Sequence, residues 1–377
     1  MAKMISVIMF ILAIFILILL SFYEDKINYK SKKRIILFST FVISIIGAFR
    51  TFGSDLENYR EIFNSTNLTL NYEYFINALE FRIEPIFMIL ISIIKGLGFG
   101  FKTFLFISLI IPMLIVYIVV IKTEENVPIT TFAFFLFIYL FSVDLVRHFL
   151  AAALYLSALY SLAHNQKVNY YFKSVISIFA HYSNVITILL RPFLNIKWST
   201  IKYVLTIVIV GLTGIMVKEI VFNFFSEQSF ENVILIRFQN YLLYYDESYE
   251  YHSVFHAILL FLVQYSKVFF YIIIIFVSLR FNKLLRNDFN RILLSSQIIG
   301  SIILLICIIY NSNQMGIRLN FLLSIGSFIL LKEILKHYRG NKTLLFGFII
   351  IFLSFTILIR VLYNVGIHIP GSQFYLF

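Results

Sequence analysis

A chain of 377 residues that is 60% hydrophobic and 13% charged, with a mean hydropathy of +0.91, does not read as a soluble globular protein. Its formal charge of +12 would raise nucleic acid as a partner in a water-soluble chain. Here it reads as lysine and arginine kept in cytoplasmic loops against anionic headgroups, with no nucleic acid implied. A single cysteine, Cys307, lies inside an apolar run and leaves no intramolecular disulfide and no thiolate metal cluster.

The first element is an uncharged apolar run from Ile5 to Phe22. A helix rises about 1.5 Å per residue and the hydrocarbon core is about 30 Å thick, so about 20 apolar residues span it. No small-residue cleavage site follows, so the run reads as a retained first helix and not as a removed signal peptide. Further apolar segments fall near 35–52, 83–101, 103–121, 127–143, 146–163, 174–190, 202–217, 254–279, 292–310, 319–335 and 343–363. No stretch reads as a separate aqueous domain. The chain is therefore predicted to be all-α, one polytopic transmembrane domain over 1–377 with about 10–12 helices, re-entrant segments among them.

Basic residues set the orientation. The connection 24–34 carries Lys26, Lys30, Lys32, Lys33 and Arg34, and 280–291 carries Arg280, Lys283, Arg286 and Arg291. These two, and 332–342 with Lys332, Lys336, Arg339 and Lys342, are expected in the cytoplasm. By alternation, 53–82 and 218–253 are outer loops, and both are rich in tyrosine and hold several acids. Two readings fit the middle. If every segment crosses, Asp144 and Arg147 are cytoplasmic while Lys167 and Lys173 lie outside, against the positive-inside trend. If 83–101 and 174–197 are re-entrant, the lysines return inside and Arg147 and His181 face outward. The polar run His181-Tyr182-Ser183-Asn184 suits the apex of such a turn, and this reading is favoured. No internal repeat and no inverted pair of broken helices of the transporter kind is visible.

The sequence holds no Walker loop, no dinucleotide-binding glycine pattern, no paired-histidine zinc signature and no nucleophile elbow. What it holds is polar residues where apolar segments meet the outer face. Arg50-x-x-Gly53-Ser54-Asp55-x-x-x-Tyr59 closes the second segment, where Arg50 and Asp55 could pair across a turn. Glu84-Pro85 opens the next and has the residues of an ordinary helix start. Asp144-x-x-Arg147-His148 precedes three alanines, and Asp144 is the nearest partner for a guanidinium that must find one. His181 and Ser183 interrupt an apolar stretch; the imidazole could be a general base, a phosphate donor, or simply satisfied by a carbonyl. Arg237-Phe238-x-x-Tyr241 sits in a tyrosine-dense outer loop that suits sugar stacking and an interfacial belt equally. Gln314-x-x-x-Arg318 puts an arginine where the positive-inside rule would not. Arg50, Arg147, Arg237 and Arg318 thus lie on the side expected to be non-cytoplasmic, and planar cations suit bidentate binding of phosphate oxygens.

In their order, these motifs resemble the EpsG family of Wzy-like polymerases of bacterial capsule and exopolysaccharide. The resemblance runs from about 35 to 330 and rests on the series Arg50 to Tyr59, Glu84-Pro85-x-Phe87, Arg147-His148-x-x-Ala151, His181-x-Ser183, Arg237 to Tyr241, and Arg318. The chain departs from the family's usual pattern with Ser54 in place of threonine, His148 in place of glutamine and Ile86 in place of glycine. The resemblance implies a GT-C-like, multi-pass protein of the bacterial cytoplasmic membrane with an outward-facing site and neither metal nor cofactor. It implies transfer of a growing glycan from undecaprenyl pyrophosphate to a lipid-linked repeat unit. Partners would be that lipid-linked oligosaccharide, the bilayer, and a chain-length regulator and flippase of the same pathway.

On that reading Arg147 and Arg318 stabilise the departing pyrophosphate, with Arg50 or Arg237 helping, and the base is His181, Asp55 or Glu84. Tyr59, His148 and Tyr241 join Arg50 and Arg237 in holding substrate. The competing readings are a lipid-linked oligosaccharide flippase, whose arginines would also grip pyrophosphate, and a glycan ligase or membrane O-acyltransferase. Against the flippase stands the absence of repeat symmetry.

Overall fold

The structure, a computed structural model, describes residues 2–50, 56–66, 84–123, 128–139, 146–227, 254–281, 283–310, 313–338, 347 and 349. All regular elements among these residues are helical. The chain divides into two compact units, 1–190 with 340–377, and 191–339.

The first unit begins with α1 (Ala2–Phe22) and α2 (Tyr29–Ala48). Asn28 starts α2 with its side-chain oxygen, which accepts from the Ser31 amide at 2.8 Å. One face of α1 buries Phe10, Ile14 and Leu17 while Leu12, Phe15 and Ile16 stay exposed, as expected of a helix with lipid on one side. Between these helices, Glu24 is buried and its carboxylate accepts from the Ile129 amide at 2.8 Å and from the Thr130 amide and hydroxyl at 3.0 and 2.6 Å. It thereby caps α6 (Pro128–Tyr139) from more than a hundred residues away. At Gly47 a β-carbon would lie 2.5 Å from Leu109 Cδ1, so any larger residue would have to push that side chain of α5 (Phe101–Thr123) aside.

Four further helices surround the polar end of this unit: α3 (Leu56–Ser65), α4 (Pro85–Gly96), α7 (Val146–Ala163) and α8 (Lys167–Ala180). α3 is amphipathic, burying Leu56, Tyr59 and Phe63 on one stripe and turning Glu57 and Arg60 outward as an exposed pair. Ala151, Ala152 and Ala153 are fully buried in α7, and α7 and α8 pack as an antiparallel pair joined by a tight turn at Asn165, whose φ is +58°. α8 stops at Ala180. His181 is extended, a short 3-10 turn Tyr182–Asn184 follows, and the helix resumes only for Val185–Leu189. The polar apex expected near the middle of 174–190 is thus a real break in the backbone. Beneath it, Tyr59, Phe63, Phe87, Ile91, Phe104, Val146, Leu150 and Ala180 share one apolar cluster.

The second unit holds α9 (Thr200–Glu227), α10 (Val254–Arg280), α11 (Asp288–Ile309), α12 (Asn313–Leu323) and α13 (Ser327–His337). α9 continues past the apolar stretch into what was expected to be outer loop. Only 6% of its apolar window is buried in the protein, so nearly all its Ile, Leu and Val side chains face outward, as lipid demands. The single segment expected over 319–335 is two helices bent by 52°. Ser324–Gly326 forms the turn at the bend, and a β-carbon at Gly326 would lie 2.4 Å from Leu293 Cδ2 of α11.

Four described helices, α5, α7, α9 and α11, are long and apolar enough to cross a bilayer, or five if the bent pair α12–α13 counts as one span. α4 is a shorter apolar helix, about 18 Å long by its residue count. The segment 343–363 lies almost wholly outside the described residues. The chain is an all-helical, polytopic membrane protein.

Candidate active site

Three helix ends meet in the first unit, and each brings one polar residue. Glu84 is the residue before α4, with extended backbone (φ −71°, ψ 142°) and Pro85 at the first helical position. It has every mark of an ordinary N-cap, yet its side chain makes no capping hydrogen bond to its own helix. The carboxylate instead turns to two other elements. Oε2 accepts from Arg147 Nη1 at 2.6 Å, at the start of α7, and Oε1 lies 2.6 Å from His181 Nδ1, at the end of α8.

Burial is graded across the trio. The Glu84 side chain is 4% exposed, while Arg147 keeps 26% and His181 22% of theirs open. A buried carboxylate thus holds two side chains that still reach outward. Paired burial is what makes such a carboxylate tolerable, since an isolated charge in this setting is strongly disfavoured. With Nδ1–H donated to the carboxylate, the lone pair of the imidazole sits on Nε2. Two more of the sequence-predicted residues complete the group. The Arg147 guanidinium lies 5.6 Å from the centre of the Tyr59 ring, presented by α3. The His148 ring, buried, meets His181 edge to face with centroids 5.1 Å apart.

Arg147 therefore finds its partner in Glu84, 63 positions earlier in the chain; the nearer Asp144, expected as the default partner, lies outside the described residues. Arg50, buried at the end of α2, donates from Nη1 to the Gly47 carbonyl at 2.9 Å. Asp55, Arg237 and Tyr241 lie outside the described residues. Arg318 belongs to the second unit, half-buried on α12, where the position of a Gly316 β-carbon would be 2.6 Å from Cys307 of α11.

One residue of this neighbourhood was not singled out from the sequence. Lys95, in the last turn of α4, donates to the carbonyls of Phe63, Asn64 and Thr66 at 2.9, 3.1 and 2.6 Å. These are the terminal carbonyls of α3, which helical bonding leaves without partners. Lys95 thereby fixes α3 at one end while Tyr59 meets Arg147 toward the other. A basic residue in a helix's last turn was the only signal, and it points to its own helix rather than to a neighbour. Among the described residues no group of three His, Cys, Asp or Glu side chains could hold a metal ion.

The arrangement can do two things chemically. Its guanidinium can bind an oxyanion while held in place, and its imidazole can take a proton while oriented by a carboxylate. Comparison with known proteins bears on which reaction this serves. No curated protein and no solved structure matches the chain. The sequence model of the EpsG family matches residues 33–376, nearly its whole length, with Glu84, Arg147, His181 and Arg318 all inside the match. The chain belongs to the EpsG family, whose members are Wzy-like polysaccharide polymerases.

Proposed function

We propose that the protein lengthens a glycan at the outer leaflet by transferring it from undecaprenyl pyrophosphate to a free hydroxyl of a lipid-linked repeat unit. The observation that carries this is the Glu84 carboxylate holding Arg147 and His181 at 2.6 Å each. The acceptor hydroxyl attacks the anomeric carbon of the growing chain, the bond from that carbon to the pyrophosphate oxygen breaks, and the acceptor proton passes to His181 Nε2. Glu84 fixes the imidazole in the tautomer that can accept that proton. Too buried and too fully bonded to be the base itself, it acts as the orienting group.

Arg147 meets the charge that grows on the leaving pyrophosphate. Because its position is set before substrate arrives, little reorganisation is needed when that charge develops. Arg318 is assigned to the same pyrophosphate, and Arg50, Tyr59, His148, Arg237 and Tyr241 to substrate holding. The site faces away from the cytoplasm in this reading, in the cytoplasmic membrane of a bacterium. A pyrophosphate is already a good leaving group, so orientation and charge stabilisation suffice.

The purified whole protein, given synthetic undecaprenyl-pyrophosphate oligosaccharide and no nucleotide sugar, should lengthen it. Arg147→Ala and Arg318→Ala should each leave protein abundance unchanged and stop long-chain product. Movement of the lipid between leaflets without chain growth would assign the protein to transport and end the polymerase reading. Full-length polymer from either arginine variant would remove that arginine from the mechanism.

A further inference from the structure

The second unit contains a cleft that the glycosyl-transfer reading does not use. Its volume is about 360 Å³, within the usual range for small-ligand sites. It is built where the segment Arg191–Asn195 and the residues after it pack on the start of α11, a contact fixed by the Ser295 hydroxyl donating to the Ile196 carbonyl at 3.1 Å. Lys197, Arg286 and Arg291 line it together with Trp198, and Ile196 and Leu294 add apolar wall. Lys197 and Arg286 are exposed at the rim. Among the described residues one acid answers these three cations: Asp288, whose Oδ1 is 2.8 Å from Arg291 Nη2 and which is itself 57% exposed.

Two residues that line the cleft also hold nitrogens sealed away from it without an acceptor, the indole Nε1 of Trp198 and the Nε of Arg291. Both are donors only, and buried donors are ordinarily satisfied. Three cations lining one cleft, two of them exposed, answered by a single carboxylate, are short of negative charge and suit an oxygen-rich anion. The place in the fold narrows the choice. The cleft lies where two membrane-crossing helices begin, α9 at Thr200 and α11 at Asp288, which is the depth of the headgroups. A tryptophan with an apolar wall on one side and cations on the other suits that depth. The loop 280–291 is basic, so by the positive-inside rule this rim meets the cytoplasmic leaflet, where anionic phospholipids carry the surface charge.

We infer that the cleft lined by Lys197, Trp198, Arg286 and Arg291 is a phosphate-binding site occupied by the headgroup of an anionic phospholipid. Arg286 and Lys197 donate to the phosphate oxygens and, with Arg291, balance its charge, and the acyl chains leave along the exposed apolar flank of α9. This site stands apart from the Glu84 group and does not depend on what that group catalyses.

Trp198 is the only tryptophan in the chain, so its fluorescence reports this cleft alone. The whole protein in an uncharged detergent should show a saturable change in emission on titration with dihexanoyl phosphatidylglycerol below its micelle concentration. Dihexanoyl phosphatidylcholine, with the same chains and no net charge, should give none. Arg286→Gln and Lys197→Gln, both rim substitutions, should each raise the half-saturation concentration about tenfold, the loss of one charge-assisted contact. Inorganic phosphate saturating the signal at the same half-point as the lipid would keep the phosphate chemistry and overturn its lipid source. Equal responses to the two lipids, or a phosphatidylglycerol response unchanged in both variants, would overturn the site.

Discussion

The first unit contains two buried glutamates beside helix N-termini, and they have opposite designs. Glu24 lies next to the start of α6, and the hydrogen bonds its carboxylate accepts come from two backbone amides and one hydroxyl. Glu84 lies at the start of α4 and its side chain gives nothing to that helix; both carboxylate oxygens go to charged or chargeable side chains that remain about a quarter exposed. Burial and helix position are the same in the two cases, so neither separates a structural acid from a functional one. The partners do. A carboxylate bound to backbone groups completes a fold, whereas one bound to two outward-reaching side chains stabilises a site that has work left to do.

That contrast predicts its largest effect at Glu84. Glu84→Gln keeps the shape but removes the negative charge and one of the two acceptor oxygens shared between Arg147 and His181. Polymer synthesis per molecule should fall on the order of 10²–10⁴-fold, the range for losing an oriented base and a fixed charge donor. Protein abundance in the membrane should fall far less. A variant whose activity loss merely follows its abundance would put Glu84 with Glu24 as a structural acid.

The next effect is at Lys95, whose hydrogen bonds to the carbonyls of Phe63, Asn64 and Thr66 fix the helix that carries Tyr59 to Arg147. Lys95→Met leaves three terminal carbonyls of α3 without their cation and frees the Tyr59 ring to shift from Arg147. Activity should drop roughly tenfold, about 1.4 kcal/mol of positioning. Lys95→Arg should recover part of it, since a guanidinium can still donate to those carbonyls. No recovery with arginine, together with a normal response to substrate concentration in the methionine variant, would separate α3 from the site.

At Glu24 the readout changes from activity to stability. Glu24→Ala leaves the Ile129 and Thr130 amides and the Thr130 hydroxyl without their acceptor in a buried place. The loss should be about 1–3 kcal/mol, seen as a lower thermal midpoint in detergent, with the activity of the remaining folded protein unchanged. A lowered turnover at full folding would show that Glu24 reaches the chemistry after all.

How far each of these could be read from the sequence follows from the range of the forces involved. The spanning helices were legible because lipid cannot satisfy a bare backbone, and runs such as Phe101–Thr123 carry that constraint in every residue. The break at His181 was legible for the same reason, four polar residues being out of place in a continuous apolar span. Arg147 and His181 were legible as costly residues, one by one, while Glu84 read as an ordinary helix start. Their union was not, because contacts across 63 and 97 positions have no periodicity to announce them. Proline after Glu84 even argued for the wrong job, since cap composition is identical whether or not the side chain caps. The bend between α12 and α13 escaped because hydropathy stays high through it.

The smallest effect concerns acid and sharpens the description of Glu24. Burial raises its carboxyl above the ordinary value of 4.5, and the Thr130 hydroxyl, the two amides and the Lys32 charge offset only part of that. A folded-state value above the unfolded one means the folded chain holds the proton more tightly. The stability this gives is complete below pH 4.5 and is lost as pH rises through the folded-state value. Glu24→Gln has no proton to lose, while every other titrating group is common to both proteins and cancels in the difference. The midpoint of the natural protein minus that of the glutamine variant should therefore fall as pH rises from 4.5 toward neutrality. Should it rise instead, the three hydrogen bonds and the start of α6 outweigh burial, and Glu24 is a better anion inside the fold than outside it. In that case Glu24 would hold its helix by charge, and the difference from Glu84 would rest on the partners alone.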